Sequence, residues 1–80
     1  MTTVINHPSR TAREAAAEIR DALRDMRTRC AILETELQAG RMLSSATCEA
    51  LDGIDKQSDR AALAVLDLRA AQKRAAGVMA

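Results

Sequence analysis

Apolar residues in the first half of the chain recur at alternating steps of four and three positions. They stand at positions 12, 16, 19, 23, 26, 30, 33 and 37, which is an unbroken heptad pattern. This spacing places every one of these side chains along a single face of an α-helix. We therefore predict a first helix over residues 11–38, a length that suits a helical hairpin or a coiled coil. Thr11 and Glu14 form a capping-box sequence at its start, and Gly40 marks its end.

The same spacing continues in a weaker form through the second half of the chain. Ser44 and Ser45 are alternative N-caps for a second helix, which the pattern predicts over residues 45–76 with Gly77 as its stop. The Asp52–Gly53 dipeptide allows two outcomes, because glycine weakens a helix interior and Asp-Gly also forms turns. The helix is either continuous, with or without a kink, or broken near Gly53 into a three-helix chain.

These elements predict an all-α fold, an antiparallel helical hairpin in residues 11–77 with a turn at about 39–44 and a flexible N-terminal tail at 1–10. A turn centred near residue 42 would place Ile19 opposite Val65 and Leu33 opposite Leu51. The predicted helix–helix seam consists of Ile19, Leu23, Met26, Cys30, Leu33, Leu37, Leu51, Ile54, Val65 and Leu68. In this register Cys30 and Cys48 are offset by about 9 Å along the axis, too far for a disulfide. We expect both to be small buried apolar residues.

The composition limits how much core such a hairpin can build. The chain has 80 residues, no Phe, Tyr or Trp, and 17 alanines. Alanine favours helices but buries little apolar area, and a chain this short has a marginal core even with larger residues. We therefore expect dimerisation into a helical bundle, or docking on another protein, to supply the missing burial.

Charge is segregated along the chain, although the formal net charge is only +1. The first helix carries an arginine strip beside the apolar face, called here the basic strip: Arg13, Arg20, Arg24 and Arg27. Acidic residues of the same helix, Glu14, Glu18, Asp21 and Asp25, are expected on the side away from the seam. Six more acids around and after the turn form the acidic cluster: Glu34, Glu36, Glu49, Asp52, Asp55 and Asp59. Both groups are candidate protein-interaction sites.

Three interpretations of the basic strip stay open. Its arginines can cover the seam and pair with acids of a partner helix, or serve as anchors in a protein docking surface. Direct nucleic-acid binding is the third. It is disfavoured because neighbouring carboxylates repel phosphate and because no aromatic side chain is available for base stacking.

The residue inventory argues against catalysis. His7 is the only histidine and stands in the predicted tail, and the three glycines are too scattered to form a phosphate-binding loop. We therefore expect a non-enzymatic protein with no catalytic residue, cofactor or metal. The N-terminus lacks the pattern of a signal peptide and no run is long enough to span a membrane, so the expected location is the cytoplasm of a bacterial or phage-infected bacterial cell.

A small, aromatic-free helical chain with polarised charge resembles, in general character, the phage-encoded anti-CRISPR proteins. This resemblance extends over the whole chain and rests on no motif. It implies inhibition of a CRISPR–Cas effector, with the acidic residues of 34–59 in a basic groove or the basic strip in an acidic one. Two other functions remain open: a self-assembling coiled-coil structural or adaptor protein, and a small nucleic-acid-binding helical protein.

Overall fold

A computed structural model describes residues 11–79 and confirms the all-α helical hairpin. Helix α1 spans Ala12–Gln38 and helix α2 spans Ser45–Met79, and the two pack against each other. Helix α2 runs through Gly53 without a break, so the three-helix alternative is wrong. It also continues past Gly77, because a glycine costs only about 1 kcal/mol in a helix and does not by itself end one. The tail predicted at residues 1–10 lies outside the described residues.

Both ends of α1 are capped as its local sequence dictates. The Thr11 hydroxyl accepts the Glu14 backbone N–H at 3.1 Å, and the Glu14 carboxylate accepts the Thr11 N–H at 2.9 Å, which is the predicted capping box. At the other end Gly40 has φ +73°, the left-handed conformation that glycine adopts without a Cβ clash. Its N–H bonds to the Leu37 carbonyl, and the Arg41 N–H bonds to the Glu36 carbonyl, completing a Schellman motif.

The turn at residues 39–44 is held by a polar network centred on Glu36. The Arg41 guanidinium donates to both carboxylate oxygens of Glu36, at 3.0 and 2.6 Å, and the Ser44 hydroxyl donates to the same carboxylate at 2.7 Å. Ser44 is also the N-cap of α2, since its oxygen accepts the Thr47 N–H. The buried Thr47 hydroxyl donates in turn to the Arg41 carbonyl at 2.8 Å. One carboxylate therefore links the end of α1 to the start of α2.

The two helices meet through their smallest side chains. Among residues 11–77, the buried residues are Ala15, Ala22, Thr47, Ala50, Gly53 and Ala64. Seven-residue spacing relates Ala15 to Ala22, so these two alanines occupy the same position on α1 in successive heptads. Side chains this small let two helix backbones approach closely, which puts the contact line of the hairpin at the alanines.

The predicted seam is therefore corrected by one heptad position. The seven-residue spacing continues the contact line of α1 to positions 29 and 36. Each of the six seam residues on α1 follows one of these four positions by one or four residues, as Leu23 follows Ala22 and Ile19 follows Ala15. Five of the ten seam residues are half-buried at the edge of the contact line: Ile19, Met26, Leu33, Ile54 and Leu68. The other five are exposed: Leu23, Cys30, Leu37, Leu51 and Val65. The ten seam residues therefore flank the line along which the helices touch.

The expectation that both cysteines are buried is wrong. Cys30 and Cys48 are free thiols, and both are exposed. Cys30 occupies the same heptad position as Leu23 and Leu37 and belongs, like them, to the exposed half of the seam. Cys48 stands two residues before the buried Ala50, about 200° around α2, and so points away from α1.

Candidate protein-interaction surface

The ten seam residues lie together on one side of the hairpin. In an antiparallel pair of right-handed helices, positions one and four residues after the contact line fall on the same side of both helices. Leu23 and Leu37 of α1 therefore share a side with Leu51 and Val65 of α2. This surface, called here the apolar side, comprises Ile19, Leu23, Met26, Cys30, Leu33, Leu37, Leu51, Ile54, Val65 and Leu68.

Much of the apolar side is open to solvent. Leu23 and Leu37 are each 47% exposed, Leu51 is 49% exposed and Val65 is 37% exposed. None of the ten residues carries a charge. Single exposed leucines are ordinary on protein surfaces, but several exposed apolar side chains grouped on one side of two adjacent helices are typical of an interaction site.

The basic strip runs along the α1 edge of the apolar side. All four of its arginines are exposed. A shallow groove of about 300 Å³ connects the strip to the apolar side, with walls formed by Ala16, Ile19, Arg20, Leu23, Arg24 and Arg27. Arg20 also forms an ion pair with Asp21 at 3.3 Å, but both side chains are largely solvated, so this pair contributes little to stability. The groove brings guanidinium groups and apolar side chains into one continuous surface.

The acidic cluster does not act as one group, because Glu36 belongs to the turn. Hydrogen bonds from Arg41 and then Ser44 lower the pKa of Glu36 from 4.5 to about 2. The same interaction raises the pKa of Arg41. The Glu36 side chain is only 12% exposed, and its carboxylate is bound by Arg41 and Ser44 of the same chain. The other five acids are exposed: Glu34, Glu49, Asp52, Asp55 and Asp59.

The opposite side of the hairpin carries an ion pair between the two helices. Arg60 of α2 forms a hydrogen-bonded ion pair with Glu18 of α1 and a 3.0 Å hydrogen bond with Gln57. The hydrogen bond to Glu18, aided by the charges of Asp21 and Asp25, raises the pKa of Arg60. The acids of α1 were expected to point away from the helix contact; Glu18, Asp21 and Asp25 are instead half-buried beside it. The correction follows from the contact line itself, which lies between these acids and the apolar side.

The contact line also contains Arg29, a charged side chain that the heptad pattern of apolar residues did not assign to it. Arg29 is half-buried, bonded to Asp25 at 2.8 Å, and extends over the buried backbone of Gly53. The available signal was its heptad spacing from Ala15 and Ala22, which places position 29 on the same line. An arginine on a line of alanines does not stand out as an interface residue without a structure.

Two further observations limit the chemistry of these surfaces. Among residues 11–79, no group of three or more histidine, cysteine, aspartate or glutamate side chains has the geometry to bind a metal ion. Neither described helix is both long and apolar enough to cross a membrane.

No known protein family, characterised protein or solved structure shows significant similarity to this chain.

Proposed function

We propose that this protein is a non-enzymatic interaction protein that docks on a protein surface through its apolar side. The observation that carries the proposal is that the residues buried between the helices are small, whereas several larger apolar residues are left exposed on one side. The most buried residues between the helices are alanines, a glycine and a threonine, while Leu23, Leu37, Leu51 and Val65 are 37–49% exposed. Unlike the exposed Leu63 and Leu66, these four residues share one side of both helices, where a docking partner would cover them together.

Docking has a clear source of free energy. Full burial of a leucine or valine side chain is worth about 1.5–3 kcal/mol. Roughly half of this free energy of burial remains to be gained at each of Leu23, Leu37 and Leu51, because about half of each residue is exposed. Together with Val65 they offer several kcal/mol to any surface of complementary shape.

The charged edges would set specificity and orientation. Exposed arginines next to an apolar surface are typical of the residues that anchor protein interfaces, since a guanidinium pairs well with carboxylates at a partly desolvated rim. The groove shared by Leu23 and Arg27 has this composition. A partner that matches both the apolar side and the basic strip would carry acidic residues at its own rim.

The anti-CRISPR resemblance supplies one specific partner class, a CRISPR–Cas effector. Such complexes hold their guide–target duplex in a positively charged channel. The exposed members of the acidic cluster, Asp52, Asp55 and Asp59 among them, are the residues that would occupy it. Only the general character of the chain supports this narrower proposal. Its test is a plasmid-interference assay with the purified effector. We expect addition of the protein to abolish interference, and we expect a variant with Asp52→Lys, Asp55→Lys and Asp59→Lys to leave interference intact.

The docking proposal is tested by a pair of double variants with matched chemistry. Leu23→Glu with Leu51→Glu puts two charges on the apolar side, and Leu63→Glu with Leu66→Glu puts two on exposed leucines of α2 outside it. We expect the first pair to lose assembly, measured both as self-association of the purified chain and as capture of cellular proteins by the tagged chain. The second pair is expected to retain it. Equal behaviour of wild type and both pairs in both assays would overturn the proposal.

A further inference from the structure

We infer that the occupant of the apolar side is a second copy of this chain, and that two hairpins stack through these sides into a four-helix bundle. This inference rests on the proposed function, because it names the partner of the same surface. Three features support it: the small buried core, the area of the apolar side, and the distribution of charge around it.

The core of one hairpin is too small to sustain the fold. Among residues 11–77, no leucine, isoleucine, valine or methionine is fully buried; the buried apolar residues are Ala15, Ala22, Ala50 and Ala64. Ordering two long helices costs conformational entropy at every residue, and four alanine methyl groups together with a few half-buried larger side chains offset only part of it. The occupant is therefore needed for folding and must be present wherever the chain is made. A second copy meets that condition without any other gene product.

The apolar side is large enough for a specific dimer interface. Its residues on α1 run from position 19 to position 37, about 27 Å along the helix, and two adjacent helices are about 20 Å across. The apolar side therefore presents roughly 540 Å², so that two copies would bury about 1,100 Å² in total, close to the lower limit for a specific protein–protein interface. Two such layers give the helix-on-helix arrangement of a four-helix bundle.

The charge distribution permits self-stacking. No charged residue lies within the apolar side, so two copies bring no like charges together at the centre of the interface. Arginines and acids stand at its edges, with Arg20 and Arg27 along α1 and Asp55 along α2. An apolar centre with a charged rim of both signs is the composition of homodimer interfaces.

Sedimentation equilibrium of the purified full chain is the direct test. We expect a dimer at micromolar concentration and a melting temperature that rises with protein concentration, as mass action requires when folding and association are coupled. A folded monomer whose melting temperature is independent of concentration would overturn the inference. Leu23→Glu should abolish the dimer and Leu66→Glu should keep it; the opposite pattern would place the interface on another side of α2.

The two cysteines provide an internal probe that needs no substitution. Cys30 belongs to the apolar side, whereas Cys48 points away from α1 outside it. Alkylation with iodoacetamide is expected to be slower at Cys30 than at Cys48, and the difference is expected to grow as protein concentration rises. Equal rates at both thiols over the whole concentration range would contradict a dimer built on this side.

Failure of this inference is distinguishable from failure of the proposed function. A folded monomer that still captures another protein, with capture lost in the Leu23→Glu and Leu51→Glu variant, would overturn the second copy and keep the docking surface. A folded monomer whose capture of proteins is unaffected by that variant would overturn both.

Discussion

The guanidinium of Arg29 lies against Gly53 so closely that a Cβ added at position 53 would come within 2.3 Å of it. A side chain at position 53 would therefore require the guanidinium to move. The residue that weakens the helix locally also makes space for an arginine that crosses from α1 and is held by Asp25. Local helix propensity is given up here for a contact between the helices.

We expect the effects of substitution at these two positions to be coupled. In an Arg29→Ala background, Gly53→Ala should stabilise the hairpin by about 1 kcal/mol, the difference in helix propensity. In the wild-type background the gain should be smaller or reversed, since the new methyl group must displace the guanidinium. A double-mutant cycle from urea unfolding at fixed protein concentration measures the difference. Equal effects of Gly53→Ala in the two backgrounds would show that the contact is energetically unimportant.

Substitution by alanine should change the free energy of unfolding in opposite directions at Gly40 and Gly77. Gly40 has φ +73°, so Gly40→Ala forces a side chain into the left-handed region and should destabilise the protein by about 1 kcal/mol. Gly77 lies inside α2 with open space around its Cβ position, so Gly77→Ala should stabilise the helix by up to about 1 kcal/mol. Thermal unfolding of both variants tests this prediction, and the absence of a sign difference would contradict the Schellman geometry at Gly40.

The contact line should reject larger side chains. Ala22 has no exposed surface, and Ala22→Leu should cost about 1–3 kcal/mol because the two backbones must move apart. Ala31 is exposed on the same helix, and Ala31→Leu should change stability by less than about 0.5 kcal/mol. Urea unfolding measures both. A neutral Ala22→Leu variant would mean that the helices are not packed at the alanines.

Stability should depend on pH through Glu36. Its pKa is lowered from 4.5 to about 2 in the folded state, so the unfolded state binds a proton at higher pH than the folded state does. The stabilisation is therefore complete above about pH 5 and is lost as pH falls toward about 2. We expect wild type to exceed Glu36→Gln in urea midpoint near neutral pH, with a difference that narrows across this window.

Arg41→Gln is the matched control for this titration, since it removes the main cause of the low pKa and keeps the carboxylate. The variant should lose most of the pH dependence assigned to Glu36. A pH-independent difference between wild type and Glu36→Gln would indicate that the turn network acts through shape alone.

The sequence alone determined the local architecture of this protein. Heptad spacing predicted two helices and their apolar faces, and the Thr11–Glu14 capping box and Gly40 defined the ends of α1, because these features depend on interactions between residues a few positions apart. The apolar side was visible in the same way, as a set of ten residues with a common spacing. Periodicity could not say whether that set faces the other helix or faces outward.

Only the tertiary structure decided that question. One heptad position of α1 is occupied by residues 15, 22, 29 and 36, which are two alanines, an arginine and a glutamate. This mixture does not stand out in the sequence as an apolar stripe. It becomes the contact line because alanine and glycine let two backbones approach, while Arg29 lies over Gly53 and Glu36 is neutralised by Arg41. Larger side chains one position later are then carried to the edge and left exposed. Which of two neighbouring faces packs depends on the distance between the helix axes, a property of the pair that neither helix encodes alone.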